Sequence, residues 1–227
     1  MNFTANFHTL FFGEQIQTMD KRSLFVLSLL ASAIFTSPPV RATIEMQPPK
    51  IIAQQSDFSQ AVLSVQDLPS GFIEIPPENL ALIKQVIGKN FPLKVEGISL
   101  FINLNNQEFV MAVTTTLSEK AQQSGLRFDQ ADLRDIIVPM MGGRQVGEIE
   151  VLDQRELPEF NNIGESSAGL STLIRMRGIP VRVDMGTFRR SEVLAFTLVT
   201  YPNGDSPITQ LGNIARKLDD RIRQVSP

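Results

Sequence analysis

Five arginines, Arg175, Arg177, Arg182, Arg189 and Arg190, fall within sixteen residues of a 227-residue chain. A guanidinium is a planar fork of donors that matches a carboxylate or phosphate, so this cluster suits a small anion or an acidic protein surface. A turn at Gly178-Ile179 would set Arg175 or Arg177 across from Arg182 on one sheet face. Facing like charges are unfavourable unless an anion or carboxylate lies between them. The plain alternative is a solvated face whose arginines pair with Glu148, Glu150 or Asp184. Arg189 and Arg190 are adjacent, so a strand would point them to opposite faces.

The remaining polar groups offer less. Cysteine is absent and His8 is the sole histidine, which removes disulfides and thiolate chemistry. Asp129, Asp132 and Asp135 spread around a helix, and the first two are placed to cap it; a calcium site needs about six or more shaped oxygens, so no metal site is read. Asp153, Glu156, Glu159 and Glu165 could hold a carboxylate pair for glycoside hydrolysis. No aromatic platform accompanies them, because tryptophan is absent and Tyr201 is the only tyrosine. The run Gly164-Glu165-Ser166-Ser167-Ala168-Gly169 has one residue too many for a G-x-S-x-G elbow, and no histidine stands ready as base. Gly142-Gly143-Arg144 lacks the Lys-Ser/Thr of a phosphate loop. No catalytic residue, metal or cofactor is therefore assigned, and a hydrolase using serine or carboxylates ranks last among the functions considered. With 21 basic against 24 acidic residues and a net charge of −3, a chain-wide field for nucleic acid is excluded.

Those residues need elements to position them, and 42 % apolar with 20 % charged residues is enough for a core. The first 42 residues read as an export signal. Lys21-Arg22, the apolar run Ser23–Phe35, the break at Pro38-Pro39 and Val40-Arg41-Ala42 follow the secretory order. The apolar run is too short to span a bilayer, so a retained anchor is the weaker reading. The upstream residues carry no basic group, and translation is expected to begin at Met19. The processed chain would hold 18 basic and 22 acidic residues, and it would be soluble in a periplasm or thylakoid lumen with no stable membrane span.

Residues 43–55 read as a linker and 56–227 as one α+β domain. Apolar spacing suggests short helices over Ser56–Val65 and Leu80–Ile87. Strands are expected over Val95–Leu104 and Glu108–Thr116, joined through Asn105-Asn106-Gln107. Two capped helices should follow, one from Thr116 to Gly125 and one from Asp129 that buries Met140 and ends at Gly142-Gly143. Strands come next at Gln145–Leu152, Gly169–Arg177, Pro180–Met185 and Glu192–Tyr201, with Leu157–Ser167 as a loop. The last strand is apolar on both faces and so should be central. Ile208, Leu211, Ala215, Leu218 and Ile222 define a final amphipathic helix. Short connections make the sheet antiparallel, with helices covering it.

Three short motifs add a resemblance. Leu63 to Phe72 reads L-x-x-x-D-L-P-x-G-F. Ile163-Gly164-Glu165-Ser166-Ser167 is followed by Phe188-Arg189-Arg190-Ser191-Glu192-Val193, and Leu211 to Ile222 contains A-x-x-L-x-x-R. Over roughly residues 60–225 the chain resembles exported sensor and lipoprotein domains whose fold is similar to the PsbP-type extrinsic subunit of photosystem II. Ser191 stands where glycine is common, and the lipoprotein cysteine is missing. The resemblance implies an α-β-α sandwich and a non-catalytic, extracytoplasmic binding or assembly module. An anion or small-ligand sensor built on the arginine face is the second function considered, and the hydrolase is the third.

Overall fold

The computed structural model describes residues 58–75, 80, 94–117, 149–176 and 178–226. The export signal, the linker, the bodies of three expected helices and Arg177 lie outside the described residues. Strands β1 (Ile73–Glu74), β2 (Lys94–Asn103), β3 (Glu108–Thr116), β4 (Ile149–Glu156), β5 (Ser166–Met176), β6 (Ile179–Arg190) and β7 (Val193–Pro202) precede helix α1 (Leu211–Val225). They form one seven-stranded sheet in the order β1-β2-β3-β7-β6-β5-β4, and every neighbouring pair is antiparallel. The class is α+β.

β7 lies in the middle, and Val193 to Tyr201 are all buried, as a strand apolar on both faces requires. Its alternate residues feed two apolar layers. Val193, Ala195, Val199 and Tyr201 meet α1 together with Phe101, Val110 and Phe188. Leu194, Phe196 and Leu198 join Leu100, Met111, Leu170 and Met185 on the other face. α1 buries Leu211, Ile214, Ala215, Leu218 and Ile222, steps of three and four that put one stripe on the sheet.

Several expected boundaries move, each for a local reason. The described part of the helix expected over Ser56–Val65 is not α-helical: single 3-10 turns at Phe58–Gln60 and Val65–Asp67 flank an irregular stretch. The Leu63 N–H donates to the Ser99 hydroxyl (2.9 Å), and that hydroxyl donates back to the Leu63 carbonyl (3.1 Å). Sheet contacts thus satisfy the backbone that a helix would have used. Ile208 precedes α1 and is half-exposed. Ile179 is not in the β5–β6 turn, because it is already paired to Met176; Gly178 before it stands at φ +84°. β6 runs on to Arg190 instead of ending at Met185. Gly169 and Gly186 face each other across β5 and β6, and the fully buried Phe160 ring rests on both.

Candidate functional site

Arg182 and Arg190 alternate with Asp184 and Phe188 on the α1 side of β6, and Arg175, opposite Pro180, shares that side. Arg189 points to the side of Val183 and Met185, as its adjacency to Arg190 requires. Arg175 stands opposite Pro180, and Arg182 stands between Leu173 and Tyr201. The expected facing arginines are therefore not in register. Each of the four described arginines holds a carboxylate. Arg175 pairs with Glu150, Arg182 with Asp153 (3.2 Å), Arg189 with Glu165 (2.9 Å) and Arg190 with Asp219 (2.7 Å). Glu150 was anticipated as a partner; Asp184 is not used, because it is buried and accepts the Tyr201 hydroxyl at 2.9 Å.

The three motifs lock together through these pairs. The Glu165 carboxylate accepts the Ser191 N–H (2.9 Å) and Arg189, steadying a turn whose Ser191 sits at φ +51°. That conformation suits glycine and costs a serine strain. Arg190 grips both oxygens of Asp219 on α1 at 2.8 and 2.7 Å, which pushes its pKa up. Arg221 reaches both oxygens of Asp67 at 3.2 Å, joining the D-L-P loop to the A-x-x-L-x-x-R helix. The Ser191 N–H holds the Glu165 carboxyl below its ordinary range against the pull of burial, with help from Arg189. At Asp67 burial is the largest influence and acts upward. The Ser64 N–H, the Ser64 hydroxyl and Arg221 together outweigh it, so the net shift is downward.

Depressed carboxyls contribute stability above their ordinary values, 4.5 for Glu165 and 3.8 for Asp67, and lose it as pH falls through the folded values. Glu108 has the opposite sign. Its carboxylate is buried and accepts the N–H groups of Ile208 (2.7 Å) and Thr209 (3.0 Å), yet burial raises its pKa above 4.5. Its contribution is thus lost as pH rises through the raised value. Replacing Glu165 by Gln should lower the melting temperature at neutrality and flatten its fall between about pH 5 and pH 3. Thermal melts across that range check this; an unchanged acid limb contradicts it.

The candidate catalytic groups do not converge. Ser167 donates to the Phe160 carbonyl (2.8 Å) and accepts the Ile163 N–H (3.3 Å), which ties down the loop. Asp153 and Glu165 belong to arginines, and Glu156 is exposed on β4. Among the described residues no group of three acidic, histidine or cysteine side chains could hold a metal. Asp129, Asp132 and Asp135 lie outside them.

What the sequence did not single out is a cleft of about 490 Å³ beside the first turns of α1. Leu68, Pro69, Ile208 and Ile214 supply its apolar walls, and Arg216 and Lys217 its charge. Arg216 donates to the Asn213 side-chain oxygen and the Glu159 carbonyl, both at 3.1 Å; Lys217 donates to the Asp67 carbonyl. Neither has a carboxylate partner among the described residues, unlike Arg221, whose charge is matched by Asp67. The sequence hides this. Asp220 lies four residues after Arg216 and three after Lys217, a spacing that suggests pairing. However, a cation that precedes its anion on a helix is the poorer arrangement, and long side chains lean toward the N-terminus. Asp220 approaches Arg223 instead, at 3.8 Å.

No protein-family model and no curated protein matches the chain. A solved structure of an uncharacterised protein from Mycobacterium smegmatis is similar at 12 % identity and a TM-score of 0.34, covering 76 % of this chain and 98 % of that one. A likeness of this degree carries no inference about function.

Proposed function

We propose that the protein is an exported, non-catalytic binding or assembly module that acts through its surface. In this reading residues 1–42 are a cleaved signal, and the processed chain works in a periplasm or thylakoid lumen. The seven-stranded sheet, whose central strand β7 is buried on both faces, is the middle layer of a PsbP-like α-β-α sandwich. Among the described residues no helix is long and apolar enough to cross a membrane. One observation supports a contact surface at α1: an open cleft with apolar walls carries two neighbouring cations that no described carboxylate neutralises. Uncompensated charge beside exposed apolar surface is what recognition sites retain and structural ion pairs lack.

The test is to add ¹⁵N-labelled protein, expressed from the full sequence, to an extract of the compartment that contains it. Amide signals of Thr209–Lys217 should shift or broaden while those of β4 and β5 stay in place. Unchanged signals at α1, or changes centred on β4 and β5, would overturn the reading.

A second reading keeps the arginine face as an anion sensor. It is favoured by the buried Arg189 Nε, which has no hydrogen-bond partner. On that view changing Arg189 together with Arg175, Arg177 and Arg182 to Gln would abolish the response to the extract.

A further inference from the structure

We infer that the α1 cleft is a site for a small amphipathic carboxylate, an organic monoanion with an apolar body. This rests on the surface-binding reading above and narrows it from a surface to a ligand class. A volume of about 490 Å³ falls in the range of small-molecule pockets. The two cations lie on consecutive residues of α1, and each now binds only neutral oxygens: Arg216 those of Asn213 and Glu159, Lys217 that of Asp67. A carboxylate would replace contacts in which only the donor is charged by contacts in which both partners are charged, which adds Coulomb attraction. The positive end of the α1 dipole lies at the same place and has the same sign of effect.

Charge and shape together limit the ligand. Asp67 also lines the cleft, but its charge is matched by Arg221 and its Oδ2 accepts hydrogen bonds from Ser64. Arg216 and Lys217 remain as unmatched positive charges for an anionic head. The apolar walls, not the charge, set a carboxylate with an aliphatic body above a bare phosphate. The walls define the body. Leu68 and Ile214 are buried, but Ile208 stands 38 % exposed at the rim and Pro69 is exposed beside it, so an aliphatic chain laid against those two would cover surface that now meets water.

The experiment is a ¹H–¹⁵N titration of the protein, expressed from the full sequence, with four probes. Sodium hexanoate carries head and body, acetate the head alone, 1-hexanol the body alone, and inorganic phosphate a dianion without a body. Hexanoate should perturb Thr209–Lys217 and bind about tenfold or more tightly than acetate or hexanol, with phosphate weaker still. Changing Arg216 and Lys217 together to Gln should cost about tenfold in hexanoate affinity. If that variant does not fold, Ile208→Ser at the rim should weaken hexanoate but leave acetate unchanged. Hexanoate that leaves α1 unperturbed, that binds the double variant equally, or that is matched by acetate or phosphate would overturn the inference. Should hexanoate fail while the extract still perturbs α1, the surface-binding reading stands and only the ligand class falls.

Discussion

Gly186→Ala should destabilise the protein by about 3–5 kcal/mol, the scale of losing a large buried aromatic. A Cβ at Gly186 would overlap the far edge of the Phe160 ring, and one at Gly169 would come within 2.6 Å of Phe160 Cβ. A flexible surface side chain could swing away from such a clash. Phe160 cannot, because it is fully buried between the sheet and α1. The added methyl therefore either expels the ring or forces β5 and β6 apart. The cause is checked by a double variant. Phe160→Ala should be costly alone, and adding Gly186→Ala to it should cost little more, because the overlap is gone. Urea unfolding of the three proteins gives the comparison. A Gly186→Ala protein that unfolds within about 1 kcal/mol of the parent would contradict the described packing.

Ending the chain after Tyr201 should abolish cooperative folding. α1 buries Leu211, Ile214, Leu218 and Ile222 completely or nearly so. Each such side chain is worth about 1.5–3 kcal/mol as an upper estimate, against a net stability of roughly 5–15 kcal/mol. The same cut removes Asp219 and Arg221, leaving Arg190 and Asp67 without their partners. Circular dichroism during heating is sufficient: a sigmoidal melt near that of the parent would show that α1 is dispensable.

The legible parts of the fold were those where local pattern and long-range packing agree. β7 reads as central because both its faces are apolar, and α1 reads as a helix because its apolar steps place one stripe on the sheet. Phe58 to Val65 carries the same helical steps, but Ser99, thirty-six residues away, captures the Leu63 backbone and no α-helix forms. Periodicity cannot register such a distant acceptor. Glu108 is hidden for the same reason, since the N–H groups it holds lie 100 and 101 residues further along. Clustering drew attention to the sheet arginines, yet Glu150, Asp153, Glu165 and Asp219 neutralise the four that are described. Arg216 and Lys217 attract no notice as an ordinary basic pair beside Asp220. Only the direction of their side chains shows that they face a cleft and not that aspartate.

Recognition therefore turns on which set of cations is available. It is tested most directly by one comparison, made by amide chemical-shift mapping in extract of the protein's own compartment. The three proteins are the parent, the variant with Arg175, Arg177 and Arg182 changed to Gln, and the variant with Arg216 and Lys217 changed to Gln. The parent and the sheet variant should show the same perturbation of Thr209–Lys217, and the cleft variant should lose it while keeping the parent's signal dispersion. Loss of the response in the sheet variant, with the cleft variant unaffected, would contradict the account and return recognition to the arginine face.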